Sequence, residues 1–244
     1  MQLIKLDAIG STNNYLKQLA HEEQLEDFTV VVCRHQTQGR GQKGNHWVSK
    51  KDKNLTISIL KKFDSLDANQ SFGLNCLVSL VIYHVLNELT IPEVKVKWPN
   101  DIMSGNKKLC GILIENSLSG TRIKQSTIGI GLNVNQIKFD GLTNATSLKL
   151  SSGIDYNLEY LLNETLDKLK QYFDLKLPHG LKELKKQYEK VLFRSNEWSE
   201  FFTPLDKSFF TGMIKGITES GQLQIQTKDG DIRTFNFKEI RMIY

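Results

Sequence analysis

This chain of 244 residues is poor in the groups that make covalent or metal chemistry easy. It has three cysteines, Cys33, Cys76 and Cys110, far apart and without a C-x-x-C spacing. That argues against both a disulfide framework and a structural zinc site. None of its five histidines (His21, His35, His46, His84, His179) stands at metal-ligand spacing from another, so no metal site is expected from them. No apolar run approaches the roughly 18 residues that cross a bilayer. The opening MQLIKLDAIGS has no cleavable apolar segment, and a cytoplasmic protein is expected. There is no P-loop, no internal repeat and no low-complexity tract.

What is there is ordinary globular composition, with 39% apolar and 24% charged residues. The net charge of +5 is unevenly spread: the first 196 residues carry 26 basic and 20 acidic side chains, the remainder 6 and 7. A mildly positive body suits an anionic ligand. No basic stripe or recognised motif accompanies it, so DNA recognition is not expected.

Periodicity divides the chain in two. Ser11–Leu19 reads as a capped short helix. Strands are expected at Phe28–Cys33, Asn54–Leu60, Val94–Trp98, Lys108–Glu115 and Thr127–Asn135. Residues 71–89 are apolar nearly all round, which suits a buried helix. Residues 136–153 read as a polar connection, and two amphipathic helices follow over 158–173 and 181–191. From about residue 197 short strands and turns take over, predicting a small sheet or barrel. The mixed order favours α+β over a doubly wound pattern. The expected division is a catalytic domain at 1–196 and a second domain at 197–244.

Four stretches carry candidate chemistry. Gly39-Arg40-Gly41-Gln42-Lys43-Gly44 frees the backbone for close approach to an anion, with Arg40 and Lys43 beside it, and Trp47 follows as a ring able to stack on a base. The same stretch is compatible with a plain surface turn. In Lys97-Trp98-Pro99-Asn100-Asp101 the proline ends a strand, and Asp101 could bind Mg²⁺, accept a proton or simply cap the turn. Lys108 opens the strand KLCGILIE, where it is either solvated or aimed at developing charge. Gly111 there allows close backbone approach or marks a bulge. In Gly129-Ile130-Gly131-Leu132-Asn133 two glycines alternate along a strand, which suggests that something packs on that face. Asn133 could then bond a base or ribose. Cys33 and Cys110 lack a histidine partner and read as small buried hydrophobes.

In chain order, S-T-N-x-x-L, Q-x-x-G-R-G-x-x-G-x-x-W, K-W-P-N-D, K-L-x-G-I-L-x-E and G-x-G-x-N-V resemble the biotin protein ligases across residues 9–135. The resemblance implies a mixed central sheet flanked by helices and a small SH3-like C-terminal barrel. It implies a two-step reaction: biotin and MgATP give biotinyl-5′-AMP, and a lysine of a biotin carboxyl carrier domain then takes the biotin. By motif match Ser11, Thr12 and Asn13 would hold the ureido end of biotin. Gln36, Gly39, Arg40, Gly41, Gln42 and Gly111 would lie along it toward its carboxyl end. Arg40 would neutralise carboxylate and phosphate, and Lys108 would bridge them, with Asp101 beside them as a third catalytic group. Lys43, Trp47, Asn100, Gly131 and Asn133 would serve the nucleotide.

Two departures stand out. Gln42 and Asn45 occupy positions where many relatives carry arginine, and compensation by Arg40, Lys43 and backbone N–H groups is expected. Ser11 also lies so near the start that no DNA-binding helix-turn-helix is expected before it. The resemblance thus implies a monofunctional ligase, monomeric or weakly dimeric. The alternatives are a lipoate or octanoate ligase on the same fold and, from another class, a non-catalytic DNA-binding protein.

Overall fold

The structure, a computed structural model, describes residues 1–177 and 180–244, and only the backbone of Lys43 and Lys176. His179 lies outside the described residues. Strand β1 (Leu3–Ile9) leads into helix α1 (Thr12–Glu22), capped by the Ser11 side chain on the Asn14 N–H. Strand β2 (Thr29–Gln36) follows, then a short hairpin, β3 (Gly39–Arg40) and β4 (His46–Trp47), and the long strand β5 (Asn54–Lys62). Helix α2 (Ser71–Glu88) precedes β6 (Val94–Lys97), β7 (Asp101–Ser104), β8 (Lys107–Ser119) and β9 (Arg122–Asn133). Helices α3 (Leu148–Ser152), α4 (Leu158–Gln171) and α5 (Leu181–Lys190) complete the larger part. The smaller part is β10 (Trp198–Thr203), β11 (Ser208–Ile217), β12 (Leu223–Thr227), β13 (Ile232–Phe235) and β14 (Arg241–Ile243).

The expected α+β class with a mixed central sheet is present. Seven strands run in the order β1-β2-β5-β9-β8-β7-β6; β1 and β2 are parallel and every other neighbour is antiparallel. Successive side chains on a strand point to opposite faces. One face buries Val30, Ile57, Ile59, Ile112, Ile128, Ile130 and Leu132 against α2 and α4, as the all-round apolar sequence of α2 requires. The other face carries Val31 and Leu60 under Leu16 of α1, Ser58 and Gly129 under Thr12 and Asn13 at its start, and then Gly111, Leu113 and Gly131 beyond the helix. Truncating a fully buried residue such as Ile57 to alanine is expected to cost about 2–5 kcal/mol.

Sequence pattern left several elements out. β1, β7, β10, β14 and α3 were not anticipated, and the strand after Pro99 turns straight back as β7. The expected barrel is a five-stranded antiparallel sheet, β13-β12-β11-β10-β14. Its edge strands β13 and β14 do not pair with each other, so no closed barrel forms among the described residues. This sheet docks behind the K-W-P-N-D turn: the Trp98 indole N–H donates to Gly221 O at 2.9 Å, and Lys97 Nζ donates to the Tyr244 hydroxyl at 2.9 Å. Gly221 has φ +92°, and a Cβ there would lie 2.5 Å from Phe72. Glu189 of α5 adds a carboxylate that accepts from Ile217 N at 2.8 Å.

Candidate active site

The uncovered face of β8 and β9 is the floor of a cavity of about 750 Å³, walled by α1, the hairpin β3–β4, the K-W-P-N-D turn and the last residues of the chain. The glycines make the floor. A Cβ on Gly129 would meet Asn13 Oδ1 at 2.3 Å, and one on Gly131 would meet the Trp47 indole at 2.4 Å. The alternating glycines thus let an amide and an indole lie flat on the sheet.

One end of the cavity is uncharged and polar. Thr12 N donates to Gln36 Oε1 at 2.8 Å, with Thr12 Oγ1 3.0 Å from the same oxygen. Ser58 Oγ on β5 lies 2.7 Å from Thr12 Oγ1 and 2.6 Å from Asn13 Oδ1. Asn13 Nδ2 donates to Glu115 Oε2 at 3.0 Å and to Leu113 O at 3.3 Å. Beyond this cluster Glu115 takes Lys17 at 3.0 Å and Arg40 at 3.4 Å. Burial pushes the Glu115 carboxyl up, but hydrogen bonds from Asn13 and Lys17 and the charges of Lys17 and Arg40 outweigh it, holding it below its ordinary value.

The other end is charged. Lys108 Nζ lies 2.6 Å from an Asp101 carboxylate oxygen, across the β7–β8 pair, and 5.7 Å from the centre of the Trp47 ring. The Lys108 backbone is gripped on both sides by residues beyond β9: its N–H donates to Asn144 O at 2.7 Å, and its carbonyl accepts from Thr146 N at 2.9 Å. A second cavity of about 310 Å³ opens there, between Trp47 and the Phe139–Ala145 segment, and shares Trp47, Asp101, Lys108 and Tyr244 with the first. Asn133 faces it with a buried Oδ1 that has no partner among the described residues, while its Nδ2 donates to Thr146 O. The Trp47 indole N–H is likewise buried without a partner. Two buried polar atoms left unmet at one junction suit a polar ligand. Burial drives the Cys110 thiol far up, so it stays neutral and is no nucleophile.

The structure gathers Ser11, Thr12, Asn13, Gln36, Arg40, Gly41, Gln42, Trp47, Asn100, Asp101, Lys108, Gly111 and Gly131 around the first cavity, and Asn133 on the second. Some take places other than those expected. Gln36 joins Thr12 at the uncharged end. Arg40 bonds Asn14 and pairs with Glu115, while the Lys108 side chain runs along β8 to Gly111, four residues before Glu115. Asn100 is buried, and its amide donates to Ile112 O, so its donor is engaged with the sheet. Gly39 abuts the Trp47 carbonyl, and the Lys43 side chain lies outside what the structure describes. Sequence reading missed Ser58, Glu115, Asn144 and Tyr244. Ser58 and Glu115 were legible as polar residues on the glycine face of two strands; nothing in the sequence flags the other two.

The biotin/lipoate A/B protein ligase family model matches residues 6–133, just over half of the chain. The chain belongs to that family. A model of the biotin protein ligase C-terminal domain matches residues 203–241, within the smaller sheet. Among solved structures, the biotin protein ligase from Aquifex aeolicus in complex with biotin and ATP superposes with a TM-score of 0.80 at 28% identity, covering 99% of this chain and 98% of that one. The bifunctional ligase/repressor BirA of Escherichia coli is 29% identical over 97% of this chain and 73% of its own length. The biotin--[acetyl-CoA-carboxylase] ligase of Paracoccus denitrificans is 33% identical over 45% of this chain and 46% of its own. Within this ligase family, the cavity with an uncharged polar end and a lysine end is the candidate substrate site.

Proposed function

We propose that this ligase joins biotin to ATP as biotinyl-5′-AMP and then passes the biotin to one lysine of a biotin carboxyl carrier domain. The observation that carries the reading is the meeting of two cavities at Lys108. One has amide and hydroxyl groups at its far end, suited to a cyclic urea, and the other offers unmet polar atoms to a nucleotide. Biotin extended along the β8–β9 floor brings its carboxylate to Lys108, and ATP in the second cavity brings its α-phosphate to the same ammonium.

The chemistry follows from the charges. Carboxylate attack on a phosphorus brings two anions together, so a fixed cation at the junction lowers the barrier by placement and electrostatics. Lys108 supplies it, and Asp101 holds its ammonium when no anion is there. Among the described residues no group of three His, Cys, Asp or Glu side chains could hold a metal alone. Asp101 and the unpartnered Asn133 Oδ1 are oxygen donors that suit Mg²⁺ carried in on the triphosphate, which Mg²⁺ favours over all-protein cages. When bound, the ion would neutralise phosphate charge. The second step is attack of the carrier lysine amine on the mixed anhydride, with AMP leaving. No enzyme nucleophile is needed, in keeping with the neutral Cys110.

We assign catalysis to residues 1–196 and the support of the K-W-P-N-D turn to residues 197–244. The experiment is a streptavidin blot of a purified carrier domain after incubation with the protein, biotin and MgATP. Labelling confined to the carrier lysine and lost without ATP is expected. In a parallel incubation with lipoate in place of biotin, lipoylation of the carrier domain would favour the other branch of the family.

A further inference from the structure

Two amides just outside the second cavity carry a hydrogen-bond pattern that the reaction above does not use. Asn54 opens β5 opposite Asn133, and Gln136 follows the end of β9; they are 4% and 3% exposed and line neither cavity. Backbone groups at both ends fix which way the amides point. The Val134 N–H can only donate, and it gives its proton to Asn54 Oδ1 at 3.1 Å, so Asn54 Nδ2 faces Gln136 Oε1. The same Gln136 oxygen accepts from Lys50 N at 3.0 Å, which leaves Gln136 Nε2 to donate to the Lys138 carbonyl at 2.8 Å. Each donor meets an acceptor, and neither amide can turn over without setting donor against donor.

The pair ties together the two walls of the second cavity. Lys50 stands shortly after Trp47, whose ring lies on Gly131, and Lys138 immediately precedes the segment 139–145. The far end of that segment is held by the Lys108 backbone, through Asn144 O and Thr146 N. Its near end is held by Gln136. The Lys50–Asp140 ion pair also spans the gap, but both side chains are exposed, and such pairs hold little.

We propose that Gln136, anchored by Asn54, is a positioning residue that holds the Trp47 wall and the 139–145 wall at the spacing a nucleotide needs. The proposal rests on the reading that ATP occupies the second cavity and deepens it. Gln136 touches no substrate and acts through Lys50 and Lys138. Small displacements suffice, since a misplacement of about 1 Å caused far from the chemistry can cost about 10²-fold in rate.

The test compares three variants with wild type in pyrophosphate release, with the KM for ATP and the KM for biotin measured separately and each protein checked for a cooperative thermal melt. Gln136→Met keeps the volume but cuts every bond of the Gln136 amide. Asn54→Ala leaves Gln136 in place without its anchor. Asn135→Ala is the matched control: its amide bridges the same stretch of chain to the Tyr156 backbone, and neither residue lines a cavity. Gln136→Met should raise the KM for ATP by about tenfold or more while the KM for biotin stays within about threefold. Asn54→Ala should show the same split at smaller size, and Asn135→Ala should leave both constants near wild type. Equal rises in both constants, or a rise in the KM for ATP as large from Asn135→Ala as from Gln136→Met, would mean a general loosening of the chain and overturn the proposal. So would an unchanged KM for ATP in folded Gln136→Met or, should that variant not melt cooperatively, in Asn54→Ala. These results with an active wild type overturn the proposal alone. Wild type without biotin-dependent release overturns the ligase reading as well.

Discussion

Lys108 and Asp101 stand in ion-pair contact at 2.6 Å where the two cavities join. The pair keeps an ammonium ready at the point where a carboxylate and a phosphate would meet, in place of a water-exposed lysine. Lys108→Ala should lower the rate of pyrophosphate release with biotin and ATP by about 10²–10³-fold, as for other oriented electrostatic groups. A rate within a few-fold of wild type would remove Lys108 from the mechanism.

The glycine floor makes a second prediction. Gly131→Ala sets a methyl group against the Trp47 indole, and Gly129→Ala sets one against the Asn13 amide. Neither residue has a positive φ, so the strand itself should tolerate alanine. Overpacking of this kind costs about 1–3 kcal/mol. Gly131→Ala should shift tryptophan fluorescence and raise the KM for ATP, whereas Gly129→Ala should raise the KM for biotin. The same change in both constants from either variant would mean that the floor is not divided as described.

Glu115 gives a pH dependence with a definite sign. Its carboxyl is held below the ordinary value of 4.5, so its contribution to stability is complete above that value and is lost as pH falls through the folded-state value. Glu115→Gln should therefore destabilise the protein by about 1–3 kcal/mol at pH 7. That gap should close in thermal melts below pH 4.5. A gap that persists undiminished in acid would assign the loss to packing.

Arg40 bears on the loop that lacks the later arginines of its relatives. With Arg40 engaged by Asn14 and Glu115, the expected compensation for Gln42 falls to Lys43 and backbone N–H groups. A cationic donor bonded to an anion contributes about 1–3 kcal/mol. With that compensation in place, Gln42→Arg should leave escape of biotinyl-5′-AMP, and labelling of a bystander such as albumin, within a few-fold of wild type. Escape slowed tenfold or more by the substitution would show that the native loop leaks the adenylate.

Much of this was legible in the sequence, and the rest for physical reasons was not. β5, β8 and β9 announce themselves because one face is continuously apolar, and the paired glycines mark the other as a place of close approach. β1 stayed hidden because an edge strand is half exposed, so LIKLDAI shows little alternation. β7 has four residues directly after a turn, too few for any period. The segment 139–146 is held to Lys108 by two backbone bonds, through Asn144 O and Thr146 N, which leave no pattern in side chains. The sequence presents Arg40 as a free cation, because its carboxylate partner lies 75 positions along the chain and meets it only through the β8 register. Tyr244 reaches the site by the docking of a second sheet, which no local motif encodes.

The most direct test of the account is pyrophosphate release from MgATP by the wild-type protein, measured with biotin, with lipoate, with octanoate and with no acid. The account predicts release that depends on biotin, with biotinyl-5′-AMP identified by mass in the same reaction and little above background for the other acids. Release that is independent of biotin, or that is greater with lipoate or octanoate, would contradict it.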